Sequence, residues 1–518
     1  MVVLVALMAG SVAAHDPRRM LTQPLWRDES WVAVTLRAPF GQILSLTSTT
    51  PLLFTALLRV TPHWSPSSLR LLPLAFTVAA VVPAWYLGRE IDHHGWGTRV
   101  TLAAGVAFAP AMLMRHDLKQ YTAEAFDALV ILWLVARLES KWSRRRLIVL
   151  GVVLAASTLL SNGAVFLGPA VLAALAVVLV ARRAGRRLVE LGIVAAGTLA
   201  IDLIVFLAVD QRADVPTLRT YWQAFYIPTS DGVANALHFV HFQSGAELQS
   251  VGLGPSLVVL ALVAAGVATL ATTGFPALAI VVPLTTIEQL AAAAAQRYPL
   301  WDSRTSTWYT VVLTVMALIG VVGAARLAWF LFRHSGWPPA RVVGVVAGAA
   351  LVGLVVALTH PYLHAARVAV DTTTPLEDVQ GQVQTIEAEQ RPGDVVVSNV
   401  DAGFGLGVYW PAQPEFLFRQ ARLETFRIAF PPADRVVVAT TISTPAEVDA
   451  VRRAVTMAAA TPRGRVWVVL SHWHVSERAT MVAALTHYGV LTTPPGQHGL
   501  EPVQLLTLRR PVTTFPAP

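Results

Sequence analysis

The sequence predicts a polytopic α-helical membrane protein, with about eleven transmembrane helices and a C-terminal extracytoplasmic α/β domain. Three observations lead there. Of 518 residues, 55% are apolar and 14% charged, a balance that soluble chains of this length do not carry. Apolar runs of roughly 17–22 residues recur up to about residue 360. Beyond that point charge returns, and short Val-rich runs alternate with amphipathic stretches. The chain therefore reads as a transmembrane domain over 1–360 and a soluble domain over 361–518.

The expected spans are 1–14, 69–87, 99–114, 121–137, 147–160, 163–181, 188–208, 253–272, 276–295, 308–331 and 342–360. Three of the intervening loops are rich in cations: Arg137, Lys141, Arg144, Arg145 and Arg146; then Arg182, Arg183, Arg186 and Arg187; then Arg326, Arg333 and Arg341. The positive-inside rule puts all three in the cytoplasm. Counting outward from them places 15–68, 115–120, 209–252, 296–307 and the C-terminal domain on the opposite face. The first run is short for a span, and Ser11-Val12-Ala13-Ala14 resembles a signal-peptidase site without a basic segment before it. Cleavage there and a start codon placed too late both leave 15–68 outside. Spans 147–160 and 163–181 are joined only by Ser161-Asn162, which demands a tight helical hairpin.

Composition removes several functions. The chain has no cysteine, so disulfides, thiolate metal sites and cysteine nucleophiles are excluded. Its net charge of +8 lies in short clusters between apolar runs, without the basic stripe that nucleic acid needs.

Ionisable residues then mark candidate chemistry. In the first external loop, Trp26-Arg27-Asp28-Glu29-Ser30-Trp31 sets an acidic pair between aromatics. Asp28 and Glu29 either solvate an interfacial helix or supply a carboxylate that takes a proton from a sugar hydroxyl. In Met114-Arg115-His116-Asp117-Leu118-Lys119-Gln120-Tyr121, a helical conformation would stack Arg115 on Lys119 and Asp117 on Tyr121. The alternative is a solvated turn. Glu124 and Asp127 lie in the following span, and Asp202 and Glu288 in later ones, where a carboxylate needs a cavity or a partner. The loop holding Tyr298, Pro299 and Arg304 offers a phosphate clamp or a snorkelling arginine. Tyr221, Trp222, Tyr226, His238 and His241 form an aromatic surface suited to sugar rings or lipid. His238-x-x-His241 has no identifiable third ligand for a metal.

Taken in order, the acidic pair, Pro51-Leu52-Leu53, Asp117-Leu118-Lys119-Gln120-Tyr121-Thr122 and Tyr298-Pro299 through Arg304 resemble the membrane glycosyltransferases of the C type (GT-C). The nearest branch is that of the protein O-mannosyltransferases and lipid A aminoarabinose transferases. Leu118-Lys119-Gln120-Tyr121 is similar to a recurrent E/D-L-K-Q-Y-S/T pattern of bacterial members. The resemblance implies a polyprenyl-phosphate sugar donor, an extracytoplasmic acceptor (glycan, lipid or protein) and transfer with inversion in a cell-membrane protein. By position, Asp28 matches the family's catalytic acidic residue, which would act as general base, with Glu29 beside it. Arg115, Lys119 and Arg304 become candidates for the donor phosphate, and Asp117, Tyr121, Tyr298, His238 and His241 for lining the substrate site. Because Asp28-Glu29 replaces the D-x-D pattern of metal-dependent oligosaccharyltransferases, a divalent cation is permitted but not indicated. Two rival readings are a transporter or flippase of lipid-linked sugars, for which internal symmetry is missing, and a non-catalytic membrane scaffold.

In the C-terminal stretch, a polar helix runs to about Arg391, with strands at 394–398, 435–441, 465–470 and 503–508 and helices at 445–459 and 475–488. Gly403-Phe404-Gly405-Leu406-Gly407 lacks the spacing of a dinucleotide fingerprint. His472-Trp473-His474 ends a strand, as loop histidines or as acceptor contacts.

Overall fold

The computed structural model describes residues 1–46, 50–93, 95–210, 216–334, 377–418, 426–441, 443–473, 475–494 and 502–509. The chain forms two compact units. The first comprises Met1–Pro17, Pro51–Phe54 and Leu71–Thr372, and the second Arg18–Thr50, Thr55–Arg70 and Thr373–Pro518. The second unit thus draws on most of the stretch 18–70 as well as on the C-terminal stretch.

In the first unit the helices Val2–Ala14, Leu71–Ile91, Trp96–Ala107, Tyr121–Ser140, Arg144–Leu160, Ala164–Ala181, Gly185–Val205, Ser256–Thr272, Pro276–Ala294 and Thr307–His334 overlap ten of the expected spans. The eleventh, 342–360, lies outside the described residues. Among the described residues five helices are long and apolar enough to cross a membrane: Pro66–Ile91, Ala164–Ala181, Gly185–Ala208, Pro276–Ala294 and Thr307–Phe330. Val2–Ala14 and Ser256–Thr272 are apolar but shorter, and Tyr121–Ser140 carries Glu124, Asp127, Arg137 and Glu139.

Three of the carboxylates inside this unit find partners, as an apolar surrounding favours. The Asn162 N–H donates to Glu124 Oε1 at 2.9 Å and Ser157 Oγ donates to Asp127 Oδ1 at 2.7 Å, which fastens the tight hairpin to the preceding helix. Glu139 accepts the N–H groups of Ala277 and Leu278 at 2.8 and 3.0 Å, so a carboxylate caps the N-terminus of Pro276–Ala294. Packing uses small residues. A Cβ on Gly266 would stand 2.0 Å from the Met316 carbonyl oxygen, and one on Gly320 2.0 Å from that of Leu262. Ser256–Thr272 and Thr307–His334 therefore meet backbone to backbone, the contact that glycine permits between membrane helices.

The second unit is built on a five-stranded sheet in the order β4-β1-β5-β7-β6. Its strands are β1 (Val395–Ser398), β4 (Val436–Val438), β5 (Val466–Val469), β6 (Gly489–Thr492) and β7 (Gln504–Leu508); β2 (Glu415–Phe418) and β3 (Phe426–Ala429) form a separate hairpin. β1 is parallel to β4 and β5, with Val396 opposite Val436 and Trp467, and β7 runs antiparallel to β5 and β6. Every residue of β1 and β5 is buried, as expected of parallel strands covered on both faces. Val395, Val397, Val466 and Val468 pack with Val451, Val455 and Leu485 of the helices Thr444–Ala459 and Val475–Tyr488. On the other face, Val396, Trp467 and Val469 share a core with Phe404, Phe426, Val383 and, from the first loop, Val34, Ala38 and Leu46.

The expected C-terminal elements are present within a few residues. Helix Val400–Tyr409, strand β6 and the β2–β3 hairpin are additions. The glycine run lies within that helix as a packing surface: a Cβ on Gly403, Gly405 or Gly407 would come within 3 Å of Val438, Val379 or Val34 respectively.

Candidate functional site

The acidic pair opens the helix Arg27–Val34, with both carboxylates in its first turn, where the helix dipole favours negative charge. Their surroundings differ. Glu29 Oε1 accepts Arg70 Nε at 2.6 Å, and Oε2 accepts both Arg70 Nη2 and, at 3.2 Å, the Trp26 N–H. Arg70 spends its remaining donors on the carbonyls of Met20, Gln23 and Pro24 at 2.7, 2.8 and 3.0 Å. With Glu29 0% and Arg70 4% exposed, this is a buried, fully bonded pair that fixes the loop. Asp28 keeps 18% of its side chain exposed and accepts Arg27 Nη1 at 2.9 Å.

Arg27 is the hub of this part of the molecule, and sequence reasoning did not single it out. Its Nε donates to Asp401 Oδ1 at 2.7 Å, its own N–H to Glu377 Oε2 at 2.6 Å, and its guanidinium lies 4.6 Å from the centre of the Trp31 ring. Burial works against its charge, but Asp401 and Asp28 outweigh that and raise its pKa further. Glu377 also accepts Nδ1 of His472 at 2.7 Å. That hydrogen bond outweighs burial and raises the His472 pKa above its ordinary 6.5. His472 has φ +50°, a left-handed conformation that non-glycine residues adopt only under constraint. Further staples join the same partners: the Leu25 N–H donates to the Tyr409 hydroxyl at 2.8 Å, and Arg37 donates to the carbonyls of Gly407, Trp410 and Ala412 at 2.8–3.0 Å.

The second constellation lies in the first unit. Between Leu113 and Tyr121 the chain is a series of turns, so the stacking that a helix would give Arg115 with Lys119 and Asp117 with Tyr121 does not arise. The Lys119 N–H instead donates to the Asp117 carbonyl at 2.8 Å. Arg115 and Lys119 are 9% and 6% exposed, unusual for cations. Arg115 Nη2 donates to the Ser303 carbonyl at 2.8 Å, and its guanidinium lies 5.7 Å from the centre of the Tyr121 ring. The neighbouring Arg304 donates to the Tyr221 hydroxyl at 2.8 Å and lies 6.0 Å from the centre of the Trp222 ring. Asp302 accepts the N–H groups of Arg304 and Thr305 at 3.1 Å each, and Tyr298 donates to the Thr305 carbonyl at 3.0 Å. Residues 115–121, 298–305 and 221–222 thus converge. His238 and His241 are exposed on the helix Val233–Ser250. Among the described residues, no group of three His, Asp or Glu side chains is disposed to hold a metal ion.

The arrangement is a helical membrane bundle with buried arginine and lysine in an interhelical turn, and an α/β unit carrying an acidic helix. Its fold is similar to that of solved structures of an oligosaccharyltransferase and of ArnT. The crystal structure of the Archaeoglobus fulgidus oligosaccharyltransferase in complex with Zn and sulfate matches at a TM-score of 0.51 and 13% identity, over 96% of this chain and 72% of that one. AglB from Archaeoglobus fulgidus, in complex with an inhibitory peptide and a dolichol-phosphate, matches at 0.52 and 13%, over 96% and 73%. ArnT from Cupriavidus metallidurans, bound to undecaprenyl phosphate, matches at 0.52 and 11%, over 97% of both chains. No family model matches the sequence, and no curated protein does.

Proposed function

We propose that the protein transfers a sugar from a polyprenyl-phosphate donor to an acceptor outside the cytoplasm, with inversion at the anomeric carbon. The observation that carries this reading is the GT-C fold over almost the whole chain, shared with proteins bound to dolichol-phosphate and undecaprenyl phosphate. Here an acceptor hydroxyl attacks the anomeric carbon, the bond from that carbon to the phosphate oxygen breaks, and the polyprenyl phosphate departs as an anion. Asp28, the less enclosed member of the acidic pair, takes the hydroxyl proton. Arg115, Lys119 and Arg304 stabilise the departing phosphate, Arg304 through a planar guanidinium suited to two phosphate oxygens. Asp117, Tyr121 and Tyr298 line the donor site. Glu29, bonded on both oxygens to Arg70, holds the helix that carries Asp28.

The test is transfer from labelled polyprenyl-phosphate sugars by membranes containing the protein. Asp28→Asn is expected to lower the rate by about 10²–10⁴-fold. Wild-type protein that is folded yet turns over no donor of this class would refute the proposal.

A further inference from the structure

In open α/β sheets, ligands settle outside the carboxyl ends of adjacent strands where the strand order reverses. β1 is such a place in this sheet. The chain leaves it for β4 on one side, then crosses through the helix Thr444–Ala459 to β5 on the other. The residues that follow β1 and β5 are joined there: Asn399 Nδ2 donates to the Ser471 carbonyl at 2.9 Å, and the Ser471 N–H to Asn399 Oδ1 at 3.2 Å. Ser471 Oγ in turn donates to Glu377 Oε2 at 3.3 Å.

The crevice is filled by the chain itself. Arg27 enters it with its N–H on Glu377 and its Nε on Asp401, in the first turn of Val400–Tyr409. We propose that Glu377, His472 and Asp401 are positioning residues for Asp28, the α/β unit using its strand-end crevice to clamp Arg27 and thereby aim the neighbouring carboxylate. The inference rests on Asp28 being the base. It gives the C-terminal α/β unit a part in the chemistry without contact with either substrate.

The geometry makes two commitments. Asp401 and Asp28 share one guanidinium, at 2.7 and 2.9 Å, so loss of Asp401 frees Arg27 to swing towards Asp28. Glu377 divides its oxygens between the Arg27 N–H and His472, so the charge on His472 reaches the start of the helix. The charged groups acting on His472 are Glu377, Asp401 and Arg27. Because its pKa is raised, its contribution is complete below the ordinary value of 6.5 and is lost as pH rises through the raised one.

The test uses the full-length protein, purified, with two independent readouts. In hydrogen exchange, Asp401→Asn and Glu377→Gln are expected to raise exchange of the amides of Arg27–Val34 at least tenfold, with helices such as Thr307–His334 unchanged. His472→Gln is expected to abolish the loss of protection, measured relative to intrinsic exchange at each pH, that the wild type shows as pH rises above 6.5. In transfer assays, Asp401→Asn is expected to lower kcat about 10²-fold with little change in KM. The double variant Asp28→Asn/Asp401→Asn should be no slower than Asp28→Asn alone, because residues acting through one group are not additive. Protection of Arg27–Val34 unchanged in every variant, or full additivity in the double variant, overturns the proposal. Lost protection in a protein that transfers no sugar leaves the clamp standing and refutes only the transferase reading. Should Asp401→Asn fail to fold, Arg27→Lys breaks the same clamp while keeping the charge.

Discussion

Asp28 and Glu29 are adjacent carboxylates with different surroundings, and the separate duties proposed for them follow from that difference. Glu29 is sealed with Arg70, and removing one partner of such a pair leaves a buried charge unanswered. Arg70→Ala is therefore expected to destabilise the second unit by about 3–5 kcal/mol, read as a lowered unfolding midpoint. Asp28→Asn should leave that midpoint nearly unmoved while removing activity. Equal destabilisation by the two substitutions would contradict the division of labour. For the phosphate, Arg304→Lys keeps the charge but loses the planar fork. It should weaken binding of a polyprenyl phosphate, whereas Arg304→Ala should weaken it further; titration with undecaprenyl phosphate measures both. His238 and His241 are exposed on their helix, and replacing either with Ala should leave donor binding as it is.

At the scale of elements, the close crossing of Ser256–Thr272 and Thr307–His334 depends on Gly266 and Gly320, each with a carbonyl oxygen where a Cβ would be. Gly320→Val would force the helices apart, with a lower yield of folded protein and a lower melting temperature in detergent; an unchanged melt would show that the helices separate easily. In the α/β unit, Asp394 precedes β1 and binds Arg465 Nη2 at 2.7 Å and Trp467 Nε1 at 3.0 Å. Burial alone would raise its pKa, but the bonds from Arg465, the Arg391 N–H and Trp467 outweigh it and lower the value. A lowered carboxyl stabilises above its ordinary pKa and stops doing so as pH falls through the lowered one. Wild type should thus be more stable than Asp394→Asn at neutral pH, with the gap closing in acid. Denaturant titrations across pH would show it.

For the whole molecule, the notable fact is that the second unit is assembled from segments about 350 residues apart, as in the bond from Arg27 to Glu377 at |i−j| = 350. Val34, Ala38 and Leu46 share the core of the sheet and would be uncovered without it. Truncation before residue 377 is therefore expected to leave Arg18–Thr50 open to protease, where the full-length protein resists. Limited proteolysis of membranes measures this, and equal resistance would mean that the first loop folds without the sheet.

The membrane bundle was legible because its cause is local. A helix of about 20 apolar residues is written in consecutive positions, and ten of the expected spans meet helices. The β1 and β5 strands were legible for the same reason, as Val-rich runs buried on both faces. The acidic pair could be found as a pair, and Arg115, Lys119 and Arg304 as candidates. Which acid is sealed and which is less enclosed could not be read there, since Arg70 lies 41 positions from Glu29. Nor could the seven-residue connection between Leu113 and Tyr121 be told from a helix by pattern alone. Arg27 had the weakest signal of all: its partners Asp401 and Glu377 come near it only when the sheet closes, and His472 joins them through a backbone conformation that sequence does not announce. Local periodicity determined the spans and strands of this protein, whereas the roles of its charged residues were decided by which distant carboxylates and carbonyls tertiary packing brought to each one.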